Sequence, residues 1–252
     1  MPHIRHDSLR GAWLARRLSS VDIRLFARLG STNRTASEWV ERGELAPPAL
    51  VAASRQTAGR GQRANRWWSD AGSLCATFIL PASQHPIGQV PLRAGLAVAS
   101  VLTRHLPASS IQLKWPNDVL VDGLKIAGLL CVRARGADLI GIGLNVRTDL
   151  RHAPAEIRQR ATAMSRHARV LPRRDLLLVE LWHALGAAMA AEDWREAFER
   201  SHALQGRRVR IEEDGAAHEG VCRGVDAEGR LLLADERGQR ACTSGVVFFA
   251  AH

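Results

Sequence analysis

The sequence predicts an α/β domain followed by a small β-barrel, in a chain of 252 residues. Before about residue 205, short apolar runs alternate with segments whose apolar residues recur at helical spacing. After Gln205-Gly206 only short strand-like segments remain, separated by turn residues. We therefore place two domains at residues 1–205 and 206–252, and the change in composition predicts that each has its own hydrophobic core.

Each element of the first domain follows from a local pattern. Apolar alternation predicts a strand over 21–29, and Ser31-Thr32 is a helix N-cap for a segment that reaches about Arg42. Asp122-Gly123 between two apolar runs predicts a β-hairpin. Further strands are predicted over 49–54, 74–80, 111–115, 119–121, 124–132 and 138–146, and helices over 90–106, 173–191 and 194–204.

The stretch Thr57–Ser73 is rich in glycine and arginine and has no helical period, so we expect a long loop of the kind that usually serves function. In the second domain, turn pairs such as Asp214-Gly215 and Glu228-Gly229 separate the predicted strands. These strands cover 207–211, 219–225, 230–234 and 245–249.

The composition excludes several classes of protein. With 46% hydrophobic and 24% charged residues, the chain is globular and neither disordered nor fibrous. It has no apolar stretch of the ~18 residues that a membrane span needs, and residues 1–20 lack the apolar core of a signal peptide. The four cysteines are far apart and form no C-x-x-C pair, so we expect a reducing cytoplasm. The histidines are scattered, and no metal site is predicted. His183, His202 and His218 are expected to face solvent or to lie on a helix surface.

The net charge of +10 has two interpretations. A basic protein can bind nucleic acid, but the arginines are spread along the chain and form no basic helix, which favours a solvated surface. Only two of the 35 basic residues are lysines, namely Lys114 and Lys125. In a chain that nearly lacks lysine, these two mark positions where arginine is a poor substitute, because lysine is a compact point charge.

Three segments carry residues suited to chemistry. In Gly59–Trp68, glycines let backbone N–H groups approach an anion, arginines add charged donors, and the two tryptophans can stack on a base. Lys114–Asp118 ends a predicted strand, a usual place for ligand binding in α/β sheets. In Gly141–Val146, glycine within a strand indicates close backbone approach.

Taken together with Ser31-Thr32-Asn33, Gln56 and Lys125–Gly128, these segments resemble biotin protein ligases. The resemblance runs from about Ile23 to Asn145 and continues through Ala161–Met164 and the terminal β domain. It implies an α+β fold: a class II tRNA synthetase-like mixed sheet with flanking helices, plus a small SH3-like β-barrel at the C-terminus.

The resemblance also implies a two-step reaction. Biotin and ATP, the latter with Mg²⁺, would give biotinoyl-5′-AMP and pyrophosphate, and a lysine of the biotin carboxyl carrier protein would then take the acyl group. Regulatory members of the family carry an N-terminal DNA-binding domain, whereas only about 22 residues precede the first predicted strand here. We therefore expect a monofunctional cytoplasmic ligase with no specific DNA binding and no membrane contact.

Roles for individual residues follow from the resemblance and from charge. The biotin carboxylate must approach an anionic phosphate, so cations have to neutralise the repulsion. The predicted catalytic residues are Arg60, Lys125, Lys114 and Asp118, where Asp118 could orient Lys125, help to hold Mg²⁺ or deprotonate the incoming lysine. The predicted biotin-binding residues are Ser31, Thr32, Asn33, Gln56, Arg60, Gly61, Gln62, Lys125 and Gly128. The predicted ATP-binding residues are Trp68, Lys114, Asn117 and Asn145, with Trp68 stacking on adenine and Asn145 reading its edge.

The sequence departs from the family in one loop. The usual pattern is G-R-G-R-x-G-R-x-W, whereas here Gln62 replaces the second arginine, Ala64 the later glycine and Asn65 the following arginine. Arg60 remains, but two charges and one flexible glycine are lost, so we expect a loop that closes less tightly over the adenylate. The nearest alternative function is a lipoate or octanoate ligase, but the R-R-x-S-G-G-G run typical of those enzymes is absent from this sequence.

Overall fold

A seven-stranded mixed sheet forms the centre of the first domain. We describe the protein from a computed structural model, which covers residues 9–213 and 215–249. The strand order is β1-β2-β3-β7-β6-β5-β4; β1 is parallel to β2 and every other neighbouring pair is antiparallel. The strands are β1 Asp22–Phe26, β2 Ala49–Ala53, β3 Ser73–Pro81, β4 Ile111–Lys114, β5 Asp118–Val121, β6 Leu124–Ala134 and β7 Ala137–Asn145.

Helices cover both faces of this sheet. They are α1 Gly11–Arg17, α2 Thr32–Glu41, α3 Val90–His105, α4 Ala155–Arg160, α5 Arg174–Ala190 and α6 Trp194–Ser201. Apolar residues of α3 and α5 pack on the face that carries Phe78, whereas α2 packs on the opposite face, against Val51 and Ile79. The predicted N-cap forms, since the Ser31 hydroxyl accepts a bond from the Arg34 backbone N–H at 3.4 Å. Within the two described ranges, no helix has the length and apolar character needed to cross a membrane.

The C-terminal part is a five-stranded antiparallel sheet of order β11-β10-β9-β8-β12. Its strands are β8 Arg208–Glu213, β9 Ala216–Val225, β10 Leu231–Asp235, β11 Gly238–Cys242 and β12 Val246–Phe249. The sequence predicted four of these strands and missed β11. That strand lies at the edge of the sheet and four of its five residues are exposed, so it lacks apolar alternation.

The prediction of two separate hydrophobic cores is wrong. The buried apolar residues of both parts form one continuous cluster that includes Trp115 of the first part and Val209 of the second. The indole Nε1 of Trp115 donates to the carbonyl oxygen of Gly229 at 3.0 Å, and the Gln89 side chain donates to the Ala227 carbonyl. The C-terminal sheet is therefore packed against the first domain along a shared interior.

His202 also differs from its prediction, because it is buried at this junction and only 6% exposed. Its ring packs on Phe198 with a centroid distance of 4.7 Å, and its Nε2 atom has no hydrogen-bond partner among the described residues. Burial lowers the pKa of His202 to about 4.

Candidate active site

One cavity of about 180 Å³ gathers most of the predicted site residues. Its walls come from the N-terminus of α2, the Gly/Arg segment after β2, and strands β6 and β7. The mouth is completed by β12 and the residue before it. The predicted residues that line the cavity are Ser31, Thr32, Asn33, Gln56, Arg60, Gly61, Gln62, Lys114, Asn117, Asp118, Lys125 and Gly128.

The Gly/Arg segment is more ordered than the long loop that we expected. Its ends pair like a short hairpin, because the Trp67 N–H donates to the Gly59 carbonyl at 3.0 Å and the Gly61 N–H donates to the Asn65 carbonyl at 2.7 Å. At the tip, Arg63 has a positive φ of 53°. Its guanidinium donates to the Glu212 carbonyl and to the Ser244 hydroxyl, both at 2.8 Å. The C-terminal sheet thus holds the tip of the segment.

Two glycines of β7 make the cavity floor. A Cβ on Gly143 would lie 2.3 Å from the Trp67 ring, and one on Gly141 would lie 2.6 Å from the Asn33 amide nitrogen. Because a side chain at either position would collide with its neighbour, the glycines allow Trp67 and Asn33 to lie directly on the strand. This is the close approach that glycine in a strand predicted.

The hydrogen-bonding direction of Gln56 is fixed by Thr32. The Thr32 backbone N–H lies 2.7 Å from Oε1 of Gln56, and the Thr32 hydroxyl lies 3.1 Å from the same atom. A backbone N–H can only donate, so the atom that faces it must be the amide oxygen. The amide nitrogen of Gln56 is therefore the group left to donate to a ligand.

The side-chain amide of Asn33 is oriented the other way, so that its oxygen and not its nitrogen is left for a ligand. Its Nδ2 atom donates to the Leu130 carbonyl at 2.9 Å, and a carbonyl can only accept. The oxygen of the Asn33 amide is left as an acceptor. The hydroxyl of Ser31 already accepts the N-cap bond, which leaves its proton free to donate. The pocket therefore presents both donors and acceptors at fixed positions.

Lys125 and Asp118 both line the cavity and form an ion pair, with an Nζ to Oδ1 distance of 2.5 Å. The ammonium group lies above Gly128, where a Cβ would be 3.2 Å away, and 5.8 Å from the centre of the Trp67 ring. Of the three roles predicted for Asp118, this ion pair favours the one in which Asp118 orients the Lys125 ammonium.

Lys114 approaches the cavity from the end of β4. Its Nζ donates to the Val247 carbonyl at 2.9 Å and lies 5.5 Å from the Phe249 ring centre. Burial lowers the pKa of Lys114; Asp118 opposes that effect, and the charge of Lys125 adds to it. An anion placed between the two lysines would relieve the repulsion between them.

Asn117 lines the cavity, but its amide nitrogen is already bonded to the Leu129 carbonyl at 2.5 Å. Asn145 lies outside the lining residues and is 3% exposed. Its Nδ2 donates to the Thr162 carbonyl at 3.0 Å, while its Oδ1 has no partner among the described residues. The Thr162 hydroxyl in turn lies 2.8 Å from Nε2 of His167.

Trp68 also lies outside the cavity lining and packs against a small cluster of Leu150, Ala153 and Ala161. The neighbouring Trp67 lines the cavity instead. Successive side chains of an extended segment point to opposite sides, so only one member of this pair can face the cavity. The sequence contained the tryptophan pair but no signal that decides between its members.

The sequence also missed the contribution of Gly245–Val247, which lines the mouth of the cavity from the C-terminal sheet. No local pattern marks this segment, since its position depends on how two distant parts of the chain pack. Thr77, a buried residue of β3 whose hydroxyl lies 3.0 Å from that of Thr32, was missed for the same reason.

Two family models match the chain and define its class. The biotin/lipoate A/B protein ligase family matches residues 25–149, and the biotin protein ligase C terminal domain matches residues 205–250. The first match contains every predicted site residue, and the second contains the β12 segment at the cavity mouth. The class is thus a ligase of the biotin/lipoate type.

Whole-chain relatives narrow the class. The chain is 31% identical over 249 residues to the biotin--[acetyl-CoA-carboxylase] ligase of Mycobacterium tuberculosis, with coverage of 92% of this chain and 90% of the relative. It is 30% identical to the ligase of the same name from Paracoccus denitrificans, with coverage of 89% and 99%. The chain belongs to the biotin protein ligases, an enzyme family, which confirms the predicted family and enzyme class.

Solved structures show the same fold. The biotin protein ligase from Aquifex aeolicus in complex with biotin and ATP superposes with a TM-score of 0.80 at 24% identity. The superposition covers 91% of this chain and 99% of that one. The predicted α+β fold, with its flanked mixed sheet and C-terminal β domain, is confirmed.

Proposed function

We propose that this chain activates biotin with ATP and then transfers the biotinoyl group to a protein lysine. In the first step the biotin carboxylate attacks the α-phosphate of ATP, which forms biotinoyl-5′-AMP and releases pyrophosphate. In the second step the amine of a lysine on the biotin carboxyl carrier protein attacks the acyl carbon, loses a proton and displaces AMP.

The direction of the hydrogen bonds in the pocket is the observation that carries this proposal. Gln56 and Ser31 are left as donors, and Asn33 is left as an acceptor. A cyclic urea has one carbonyl acceptor flanked by two N–H donors, and it needs both kinds of partner. The dithiolane of lipoate has no such groups, so it would leave these polar side chains unpaired at a cost of about 1–3 kcal/mol each. The polarity therefore favours biotin over lipoate.

The cations near the cavity suit the adenylation step. Lys125 and Arg60 are the proposed clamps on the carboxylate and the α-phosphate, and Lys114 stabilises the departing pyrophosphate. A negative charge brought between Lys125 and Lys114 gains from both, because fixed donors act on developing charge without reorganisation. Asp118 keeps the Lys125 ammonium at its position before the substrate arrives. Mg²⁺ would enter with ATP and be bound mostly through its phosphates.

The adenine site is proposed beside Asn145. Its buried, unpartnered Oδ1 is an acceptor that the exocyclic amine of adenine can satisfy. Trp68 is half-buried and packs against Ala161, the neighbour of the Thr162 that binds Asn145, and its stacking on adenine stays a prediction. The domain boundary near residue 205 likewise stays a prediction.

A ligation assay tests the proposed function. The purified chain is incubated with biotin, MgATP and a biotin carboxyl carrier domain, and the carrier is analysed by intact-mass spectrometry. We expect a mass increase of one biotinoyl group that requires ATP and disappears when the acceptor lysine of the carrier is replaced by arginine. Equal labelling with lipoate, or none with biotin, would contradict the proposal.

Two further predictions concern partners and location. We expect no specific DNA binding, and a mobility-shift experiment with random and biotin-operon DNA at two salt concentrations tests this, because non-specific binding by a basic protein falls steeply with salt. We also expect a cytoplasmic enzyme, which cell fractionation tests.

A further inference from the structure

Thr77 is a buried polar residue that has no role in the two proposed reaction steps. It lies in the middle of β3, fully buried, between the apolar residues Ala76 and Phe78. Its strand partners are Val51 on β2 and Gly141 on β7. A hydroxyl in such surroundings needs a partner, and Thr77 Oγ1 lies 3.0 Å from Thr32 Oγ1.

We propose that Thr77 is a positioning residue that, together with Gln56, fixes the direction of the Thr32 hydroxyl and, through it, the acceptor that Thr32 presents to the pocket. The inference rests on the proposed function, because it assumes that the cyclic urea of biotin binds beside Thr32. Thr77 is fully buried and does not line the cavity, so it acts through Thr32.

The directions follow from counting protons. The Thr32 hydroxyl has one proton and two lone pairs. The carbonyl oxygen of Gln56, 3.1 Å away, can only accept, so it takes the Thr32 proton. The proton of the 3.0 Å contact then comes from Thr77. One lone pair of Thr32 is left for the cavity, where it can accept from an N–H group of a ligand.

Thr77 therefore donates to Thr32 and Thr32 donates to Gln56, so the two hydrogen bonds run in the same direction. Because Thr32 donates to Gln56, its oxygen becomes a better acceptor, and the bond from Thr77 keeps that oxygen in place. Without the donor below it, the Thr32 hydroxyl is held by Gln56 alone and can turn about that one bond, so its lone pairs no longer have a fixed direction. The amide of Gln56 keeps its bond to the Thr32 backbone N–H, so the effect falls on Thr32.

The test compares Thr77→Val with Thr77→Ser. Valine has the same shape as threonine and favours strands, so the first variant removes the hydroxyl without opening a cavity. The second variant keeps the hydroxyl and loses a methyl group. Thr103→Val, at an exposed position of α3, is the matched control for a threonine-to-valine exchange.

The readout is biotin-dependent exchange of pyrophosphate into ATP. For Thr77→Val we expect the KM for biotin to rise about three- to tenfold, as for the loss of one neutral hydrogen bond, with kcat and the KM for ATP changed less than about twofold. Thr77→Ser should return the KM for biotin to within about twofold of the wild-type value. Thr103→Val should change nothing.

A double-mutant cycle separates positioning from packing. If Thr77 acts through Thr32, adding Thr77→Val to Thr32→Val raises the KM for biotin no further. An unchanged KM in Thr77→Val, equal effects of Thr77→Ser and Thr77→Val, or a full additional effect in the Thr32→Val background would each overturn the inference. If the wild-type chain shows no biotin-dependent exchange at all, the proposed function fails first and the inference fails with it.

Discussion

Replacing Lys125 by arginine should nearly abolish adenylation although the charge is kept. The Nζ atom lies 2.5 Å from Asp118 Oδ1 and fills the space above Gly128, where even a Cβ would be only 3.2 Å away. The planar guanidinium is wider than an ammonium and cannot occupy this gap between Asp118, Gly128 and the Trp67 ring without moving one of them. The donor would then be displaced from the position at which charge develops.

The loss of one such donor typically reduces the rate about 10²- to 10³-fold, which corresponds to about 2.7–4 kcal/mol of transition-state stabilisation. We expect Lys125→Arg to lower biotin-dependent pyrophosphate exchange by this factor with an unchanged melting temperature. Arg28→Lys, an equally conservative exchange at an exposed position, serves as the control and should be fully active. If Lys125→Arg keeps its rate within about threefold of the wild-type value, the assigned role of Lys125 is wrong.

Three further predictions follow from the loop, the C-terminal sheet and His202. Gln62 can offer the ligand only neutral hydrogen bonds, and the Arg63 guanidinium is already bonded to Glu212 and Ser244. Preformed biotinoyl-AMP should therefore dissociate about tenfold faster from the wild-type chain than from the Gln62→Arg variant. Equal off-rates would indicate that the exposed Arg66 supplies the charged contact that Gln62 lacks. Truncation after Gln205 removes the Gly229 carbonyl that accepts from Trp115 and the part of the cavity wall that β12 supplies. The fragment should therefore melt at a lower temperature than the full chain and lose exchange activity. A fragment as stable and as active as the full chain would show that the two parts do not depend on a shared core. Since the pKa of His202 falls from 6.5 to about 4 on folding, the unfolded chain binds the proton that the folded chain excludes. Its contribution to the free energy of unfolding is complete above pH 6.5 and should fall by about 2 kcal/mol between pH 7 and pH 5. Urea unfolding at both pH values measures this loss, and His202→Phe should reduce it; a loss of the same size in that variant would exclude His202 as its source.

The sequence predicted most of the fold because local patterns marked most elements. Ser31 caps α2 as expected, and the Asp122-Gly123 pair turns between β5 and β6 with positive φ at both residues. Strand β11 escaped because an exposed edge strand needs no apolar alternation. The separate cores were predicted wrongly because composition does not report how two parts of a chain pack together.

The sequence predicted those residues of the candidate site that belong to residue types rare in this chain. Lys114 and Lys125 stood out because lysine is so rare in this chain, and the structure brings both to one cavity. Thr77 and the Gly245–Val247 segment could not be found, because neither has an unusual composition and both reach the site through long-range contacts. The sequence could not show that Trp67 and not Trp68 lines the cavity, because only the local direction of the backbone decides which of two neighbouring side chains points inward.

The reaction proposed for this cavity is the adenylation of biotin. It can be measured directly as the exchange of ³²P-pyrophosphate into ATP by the purified chain, with biotin, with lipoate and without an acid. We predict exchange that requires biotin and is not supported by lipoate, since only biotin satisfies the fixed donors and acceptors of Ser31, Asn33 and Gln56. Exchange supported by lipoate as well as by biotin, or no exchange with biotin, would show that the cavity is not a biotin-adenylating site.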